Sequence, residues 1–361
     1  MAQTEKRAYL VLADGTVFTG VSMGAQGESI GEVVYNTCAD SYQEILTDPT
    51  YYGQLVAQTY PLVGNRGIDC DGGRITANGY IVREWCGTPG QGGVTLDEYL
   101  KARGIVGISG IDTRRLTRKL RDKGYFNGAI TTALDDFDGL LRRIKEYSVH
   151  GAIAAVTAGE KYELKPENPV YNVAVLDFGF PQNMLSPFLE RGCSLTVYPA
   201  GTSCAEIIGA HPDAIVFPDG PGDPDDDIAL VENIKELTNS GIPLIGIGVG
   251  HQMMALAVGG YIRKMPKGHR GSNQPVRISG TDKIMVTVQN HGYDVADGSI
   301  PEDVAQVTMT NVNDGSVEGL RYFGFPGLSV QFAPRDSDVY SDSSFIYDEF
   351  IKLIKDGKRE G

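Results

Sequence analysis

The sequence predicts an α/β protein of two parts: a mostly β N-terminal domain, then a domain with a mainly parallel, helix-covered sheet. Three observations predict this. The 361 residues suggest about two domains at roughly 150 residues each. Short β-type runs such as AYLVLADG and EVVYNT, separated by glycine and aspartate turns, fill the first half. In the second half, strand-like apolar runs alternate with helical segments, as in βαβ units.

The predicted domains are residues 1–156 and 172–361, with a linker at 157–171. The linker is charged and contains two prolines, and it offers few residues for a core. Within the first domain, TRRLTRKLRDKG has helical periodicity, and Gly124 is placed to end that helix.

The second domain begins with the strand NVAVLDFG and continues with alternating helices and strands. In order, these are the helix NMLSPFLERG, the strand SLTVYPAG, the helix SCAEIIGAHP, the strand DAIVF, the helix IALVENIKELTNSG and the strand PLIGIGVG. The tail SSFIYDEFIKLIKDGKREG predicts a final amphipathic helix. Ligands of such sheets bind beyond the carboxyl ends of the strands. The DGPGDP loop and the GIGVGHQ turn are predicted to lie there.

Composition excludes several classes of protein. The hydrophobic fraction of 41% and the charged fraction of 22% are ordinary for a globular protein. No apolar run is long enough to span a bilayer, and the N-terminus lacks the apolar core of a secretion signal. We therefore expect a cytoplasmic protein without a membrane partner. The net charge of −14 disfavours nucleic acid as a partner. The absence of CxxC and HxxxH motifs argues against a disulfide framework and a zinc site.

The stretch IPLIGIGVGHQMMALAVGG, residues 242–260, predicts a strand, a very tight turn and a helix. Enzymes use such a turn to expose one nucleophile on a strained elbow. The residue at the apex here is Gly248, which has no side chain. A side chain at this backbone conformation costs about 1–3 kcal/mol, whereas glycine adopts it without the clash. We therefore expect Gly248→Cys to lower the melting temperature.

These motifs resemble a known family over nearly the whole chain. LADGTVFTG, GEVVYNT and GISGIDTRRLTRKLRDKG are similar to the N-terminal domain of the carbamoyl phosphate synthetase small subunit. VLDFG, GPGDP, GIGVGHQ, QNHGY and GLSVQFAP match the landmarks of class I glutamine amidotransferases in order. The resemblance implies a class I amidotransferase-like fold for the second domain.

The resemblance also implies a division of labour between two subunits. In this family the small subunit hydrolyses glutamine with a Cys-His-Glu triad. Ammonia then passes to a large ATP-using subunit that makes carbamoyl phosphate, a precursor in pyrimidine and arginine biosynthesis. No cofactor is expected in this chain, since ATP and Mg²⁺ would belong to the large subunit.

The three triad positions are all replaced in this sequence. By resemblance they are Gly248, Ala333 and Arg335, so nucleophile, base and orienting carboxylate are missing. Loss of a triad typically costs about a million-fold in turnover. Cys204 is the cysteine nearest to the elbow in sequence, but SCAEIIGA predicts the start of a helix far from the elbow, and this disfavours it as a substitute. We therefore predict a glutaminase-deficient chain.

The glutamine-holding positions of the family are better retained. By resemblance they are Thr50, Gly220, Gly222, Val249, Gln252, Asn290, Gly292 and Tyr293. GPGDP is alternatively a plain turn, Gln252 a solvent-facing helix residue, and His251 a structural contact behind the elbow. Asp219 stands where the family usually has asparagine, and it places a carboxylate near the expected ligand.

Three functions remain open from the sequence. The favoured one is a noncatalytic or regulatory subunit that binds a carbamoyl phosphate synthetase large subunit. The second is a stand-alone pseudoenzyme that binds glutamine or a similar small molecule. The third is an amidohydrolase with a different nucleophile.

Overall fold

The computed structural model describes residues 6–38, 42–68, 74–90, 93–334 and 342–360. The chain divides into two compact units, residues 1–149 and residues 150–361. The division falls before position 156, the predicted end of the first domain. Part of the predicted linker forms a strand, Tyr162–Leu164, which belongs to the second unit.

The described part of the N-terminal unit is mostly β, as predicted. Its strands are β1 (Arg7–Leu12), β2 (Val17–Gly24), β3 (Ser29–Asn36), β4 (Gln54–Gln58), β5 (Leu62–Val63), β6 (Gly79–Ile81), β7 (Glu84–Trp85), β8 (Val106–Ser109) and β9 (Phe126–Thr131). Its helices are α1 (Tyr42–Thr47), α2 (Leu96–Ala102), α3 (Thr113–Lys123) and α4 (Phe137–Glu146). Seven strands close into a barrel in the order β1-β2-β8-β6-β4-β3-β9, and β5 pairs with β7 outside it.

Alternation along β1 shows how the sequence builds this barrel. Leu10 and Leu12 belong to one apolar cluster, whereas Val11 between them packs in another cluster, with Leu140 and Ile144 of α4. Successive side chains of a strand point to opposite faces, so β1 buries one face against the barrel core and the other beneath α4.

The helix predicted from TRRLTRKLRDKG is confirmed as α3. It begins after Asp112, whose side chain accepts a hydrogen bond from the Arg115 N–H at 2.9 Å. It ends before Gly124, which has a φ of 89° and donates its N–H to the Leu120 carbonyl. The acidic cap and the positive-φ glycine satisfy backbone groups that the helix ends would otherwise leave unpaired.

The C-terminal unit alternates strands and helices before it turns to β hairpins. Its strands are β10 (Tyr162–Leu164), β11 (Tyr171–Asp177), β12 (Cys193–Pro199), β13 (Ala214–Phe217), β14 (Leu244–Ile247), β15 (Ile262–Ile278), β16 (Ile284–Val295), β17 (Ala305–Asn311), β18 (Val317–Tyr322) and β19 (Gly327–Val330). Its helices are α5 (Ala152–Val156), α6 (Ser186–Glu190), α7 (Cys204–Gly209), α8 (Ile228–Leu237), α9 (Val249–Ala257) and α10 (Phe345–Glu360).

The ten strands form one mixed sheet in the order β10-β12-β11-β13-β14-β19-β18-β17-β15-β16. The predicted parallel sheet is confirmed for the five strands β12, β11, β13, β14 and β19. From β19 to β16 the pairing is antiparallel, as it is between β10 and β12. The sequence between β15 and β19 has short connections without helices, and such connections produce antiparallel neighbours.

Helices cover both faces of the parallel strands. Ala174 and Leu176 of β11 share an apolar cluster with α7, α8 and α9. Val173 and Val175 of the same strand belong to a second cluster, with α6 and α10. Because neighbouring strand residues point to opposite faces, the two clusters are the two cores of this unit. Among the described residues, every helix is too short or too polar to cross a membrane.

The predicted C-terminal helix is confirmed, and it seals the second core. Phe350 of α10 is fully buried, lies parallel to the Phe188 ring at 6.0 Å between centroids, and meets the Tyr347 ring edge-on.

We expect Phe350→Ala to lower the free energy of unfolding of the C-terminal unit by about 3–5 kcal/mol, because it removes a buried ring and leaves a cavity. Denaturant titration measures this. Lys352→Ala, an exposed change on the same helix, is the control and should stay within about 0.5 kcal/mol of wild type. Equal effects of the two variants would contradict the assigned packing of α10.

Candidate functional site

The predicted elbow lies at the carboxyl end of β14, in the middle of the sheet. The strand ends at Ile247, and α9 begins at Val249. Gly248 between them has φ 58° and ψ −116°, a conformation that side chains rarely adopt. Its N–H donates to the Val330 carbonyl of β19 at 2.9 Å. The sequence-based expectation of a strained turn is therefore confirmed at this residue.

The other two glycines of the elbow are explained by close packing. A Cβ on Gly250 would lie 1.9 Å from the Phe217 carbonyl oxygen at the end of β13. A Cβ on Gly246 would lie 2.7 Å from the sulfur of Met254 in α9. Glycine at these positions lets the first turn of α9 press directly onto the strands.

The glycine-proline loop that follows β13 lies beside the elbow. The Pro218 carbonyl accepts the Gly250 N–H at 3.1 Å. A Cβ on Gly220 would lie 2.4 Å from the Phe178 carbonyl oxygen. The next glycine of the motif, Gly222, has a φ of 97°, and a Cβ there would lie 2.9 Å from the Ala152 methyl. The loop is thus held between β11 and α9, and it is more than a plain turn.

A carboxylate occupies the space in front of the elbow. Oδ1 of Asp219 accepts hydrogen bonds from the Val249 N–H at 3.0 Å and the Gly220 N–H at 2.9 Å. A Cβ on Gly248 would lie 2.1 Å from the same oxygen. Asp219 therefore stands where the first side-chain atom of an elbow nucleophile would be.

The positions predicted for the triad's base and carboxylate, Ala333 and Arg335, follow β19. Val330 pairs in parallel with Ile247, so the chain leaves both strands at the same edge of the sheet. Ala333 is held by a hydrogen bond from its N–H to the Val288 carbonyl at 3.0 Å. Its methyl group cannot carry a proton to or from a substrate. Arg335 lies outside the described residues.

Two predicted residues on α9 point into the protein. His251 is fully buried, contacts the Ser329 hydroxyl at 2.7 Å through Nδ1, and has its pKa lowered to about 3 by burial. This agrees with the expected structural contact behind the elbow. Gln252 is also buried rather than solvent-facing. Its Nε2 donates to the Tyr293 carbonyl and to Oε1 of Gln331, both at 2.9 Å. Both amide hydrogens are thus used within the protein.

The QNHGY motif lies on β16, opposite β15. Asn290 pairs with Arg270, and Gly292 lies beside the end of that guanidinium. Burial and the neighbouring positive charge of His269 lower the pKa of His291 far below its ordinary value. Nδ1 of the ring lies 2.8 Å from the Tyr293 carbonyl and Nε2 lies 3.1 Å from Oε1 of Gln289, so the single N–H of the neutral ring donates to one of these two oxygens. The Tyr293 carbonyl thus joins β16 to Gln252 of α9, and the places of Asn290, Gly292 and Tyr293 in a glutamine pocket stay predictions.

Two further candidates belong to other elements of the chain. Cys204 begins α7, where its thiol donates to the Asn233 carbonyl at 3.2 Å. Burial, with the charge of Glu236, raises its pKa to about 11, so the reactive thiolate is scarce at neutral pH. Thr50 belongs to the N-terminal unit, where its hydroxyl donates to Asp48 at 2.7 Å. Its place in a glutamine pocket stays a prediction.

Sequence reasoning missed an ionic cluster of two buried residues, His269 and Glu318, and the exposed Asp314. Nε2 of His269 lies 2.9 Å from the Asp314 carboxylate, and Nδ1 lies 3.4 Å from that of Glu318. Burial alone lowers the pKa of His269, but the two carboxylates outweigh it and raise the pKa to about 9. A glutamate within an apolar strand, as in SVEGL, was the available signal.

The same cluster meets the distance requirement for a metal site. One donor atom each from His269, His291 and Glu318 lies within 4.8 Å of the others. The two carboxylates raise the pKa of His269 to about 9, however, so a metal would have to displace a proton from this ring and break its contact with Asp314. The side-chain amide of Gln289 also donates to Glu318, at 2.8 Å. The chemistry therefore fits an internal ion pair better than a metal centre.

Comparison with known proteins assigns both units. The profile described as "Glutamine amidotransferase class-I" matches residues 174–353, so the C-terminal unit is a domain of that class. The profile "Carbamoyl-phosphate synthase small chain, CPSase domain" matches residues 10–130. The chain belongs to the carbamoyl phosphate synthase small-chain family, as the sequence motifs indicated.

Full-length relatives support the assignment. Each is named "Carbamoyl phosphate synthase small chain". The protein of Clostridium perfringens is 40% identical over 351 residues, covering 96% of this chain and 99% of the relative. That of Syntrophotalea carbinolica is 40% identical over 374 residues, covering 98% and 99%. That of Bacillus caldolyticus is 39% identical over 367 residues, covering 98% of each.

The ionic cluster predicts a pH dependence of stability. Folding raises the pKa of His269 from 6.5 to about 9. The contribution of the charged His269 to the free energy of unfolding is therefore complete below pH 6.5, and it is lost as the pH rises through 9. We expect the difference in unfolding free energy between wild type and His269→Gln to shrink over this range, by at most about 1.4 kcal/mol per pH unit.

Denaturant titrations at several pH values measure this difference. Asp314→Asn is the matched control. It leaves His269 with one carboxylate, so the pKa of His269 should be lower and its stabilisation should be lost at a lower pH. Parallel pH profiles for wild type and His269→Gln would refute the assignment of a charged His269.

Proposed function

We propose that this chain is a noncatalytic or regulatory small subunit of a carbamoyl-phosphate-synthetase-like complex, without glutaminase activity of its own. One observation carries the proposal. Gly248 offers no nucleophile at the elbow, and the carboxylate of Asp219 occupies the position that the nucleophile's Cβ would take. Attack on an amide carbon needs a thiolate or an equivalent group at this point.

The base is missing as well. Ala333 replaces the family's histidine, and the two histidines near the elbow are poor substitutes. His251, on α9, is buried behind the elbow with its pKa lowered to about 3, and both ring nitrogens of His291 lie within hydrogen-bond distance of protein oxygens. A general base must reach the proton that it abstracts and must have a pKa near the working pH. Neither histidine meets both conditions.

The partner follows from the relatives. They are named small chains of carbamoyl phosphate synthase, and they match this chain nearly end to end, including the CPSase domain at residues 10–130. We infer a large ATP-using subunit as the partner, which would hold ATP and Mg²⁺ and take free ammonia. Cytoplasmic placement belongs to the same proposal.

The alternative functions have less support. A glutamine-binding pseudoenzyme needs open hydrogen-bond donors, whereas Gln252 and the Val249 N–H already bond to the protein. An amidohydrolase with another nucleophile needs a reactive thiol. The thiol of Cys204 is buried and its pKa is raised. The noncatalytic subunit is therefore the function that the site supports best.

We expect the purified chain to bind a carbamoyl phosphate synthetase large subunit from the same source, and the complex to make carbamoyl phosphate from ammonium chloride but not from glutamine. Glutamate release measures the hydrolysis directly, and co-elution on size exclusion measures the association. Glutamate release at ordinary enzyme rates, about 1 per second or more, would overturn the loss of activity. Failure to associate would overturn the subunit role.

The positive control restores the triad in the same chain. It carries Gly248→Cys, Ala333→His and Arg335→Glu together with Asp219→Ala, which clears the space for the new side chain. Glutamate release by this variant and not by wild type would show that the assay detects the reaction and that the fold still supports it.

A further inference from the structure

The first turn of α9 and the loop after β13 together form a small cradle of backbone donors. The N–H groups of Val249 and Gly220 converge on one point, and Oδ1 of Asp219 lies there at 3.0 Å and 2.9 Å. We refer to these two N–H groups as the N–H cradle. The Val249 N–H lies at the start of α9, where the helix dipole favours a negative charge, and the Gly220 N–H of the loop adds a second donor.

The N–H cradle lies where a bound substrate would develop negative charge. It lies in front of the elbow apex, where an attacked amide would develop negative charge on its oxygen. Backbone donors directed at that point stabilise an oxyanion or a carboxylate. In this chain they already hold a carboxylate from the same polypeptide, so an external anion would have to displace it.

The Asp219 carboxylate and an elbow side chain cannot occupy this space together. A Cβ on Gly248 would lie 2.1 Å from Oδ1, 2.2 Å from Cγ and 2.8 Å from Oδ2 of Asp219. Real Cβ contacts this short do not occur, and all three atoms belong to the same carboxylate group. Glycine at position 248 is thus a steric condition for this placement of Asp219.

The backbone on both sides of Asp219 is held in place. On one side, the Pro218 carbonyl accepts the Gly250 N–H at 3.1 Å. On the other, Gly220 packs so closely on the Phe178 carbonyl that no side chain fits. Because both neighbours are fixed, the Asp219 carboxylate can occupy only positions close to its own backbone. The two N–H groups of the cradle are close enough to bond to it there.

We propose that Asp219 is a resident anion that closes the N–H cradle to external carboxylates and oxyanions, and that Gly248 is the residue that admits it. The inference rests on the proposed loss of glutaminase activity and adds a device to it: the site is occupied as well as stripped of its triad. Restoring the triad without changing Asp219 would therefore leave the oxyanion donors engaged.

A stability cycle tests the steric link between the two residues. We expect Gly248→Ala to lower the melting temperature by roughly 5–10 °C, from backbone strain and collision with the carboxylate. The double variant Asp219→Ala/Gly248→Ala should recover about half of the melting temperature that Gly248→Ala loses. The collision with the carboxylate is gone in this variant, and only the backbone strain remains. Asp219→Asn/Gly248→Ala is the matched control and should show no recovery, since the amide fills the same space. Additive effects of Asp219→Ala and Gly248→Ala would overturn the proposal.

Amide exchange tests the N–H cradle with the elbow glycine left in place. In Asp219→Ala the amide hydrogens of Gly220 and Val249 should exchange on the order of tenfold faster than in wild type, because each loses its acceptor. The Gly250 amide, which bonds to the Pro218 carbonyl, is the internal control and should not change. Unaltered exchange at Gly220 and Val249 would overturn the proposal even if the Gly248 variants fail to fold.

These measurements need neither glutamine nor the large subunit. If the Asp219→Ala and Gly248→Ala effects on the melting temperature are additive and wild type releases no glutamate, the resident anion is rejected and the noncatalytic role stands. If wild type releases glutamate and Asp219→Ala restores part of the melting temperature lost in Gly248→Ala, the noncatalytic role is rejected instead.

Discussion

The contact between the first turn of α9 and the carboxyl end of β13 is the constraint on which this site depends. Gly250 lies so close to the Phe217 carbonyl that a Cβ would fall 1.9 Å from the oxygen. This contact places the start of the helix against the sheet edge and brings the loop after β13 beside the elbow. The conformation of Gly248, the position of the Val249 N–H and the reach of Asp219 all follow from it.

In the proposed noncatalytic role, the frame of an amidotransferase persists without its chemistry. Close packing of glycines and strand pairing hold the elbow, and neither depends on a thiol. The polar interior is equally independent of catalysis, because Gln252 joins α9 to the Tyr293 carbonyl and His269 joins two carboxylates. Removing a nucleophile therefore costs this fold little, and glycine at the apex also removes the strain that a side chain would impose.

Charge is handled differently in two places of the C-terminal unit. In the ionic cluster, a charged imidazole lies between the carboxylates of Asp314 and Glu318, away from the elbow residues in sequence. At the elbow, the carboxylate of Asp219 is bonded by backbone N–H groups instead. A backbone donor cannot be deprotonated at ordinary pH, so the donors at the elbow do not titrate, whereas the donor of the cluster, His269, does.

Local pattern was enough to predict much of the fold. The helix of residues 113–123, with Gly124 at its end, and the alternation of β11 to α9 follow from spacing and from glycine positions. The antiparallel extension from β18 to β16 was not predicted, because two-residue alternation does not say which strands pair. The ionic cluster was missed for a related reason: His269 and Glu318 are far apart in the chain, and only strand pairing brings them together.

By itself, the sequence determined that the elbow has no nucleophile, since Gly248 and Ala333 cannot supply an attacking group or a base. It also showed Asp219 as a departure from the family, near an expected ligand. Only the tertiary structure decided what that aspartate does. Asp219 and Val249 are 30 residues apart, and their contact exists because β13 and β14 are parallel neighbours whose carboxyl ends meet at one edge. A hydrogen bond between residues so far apart in the chain depends on how the strands pair, and no local sequence pattern encodes it.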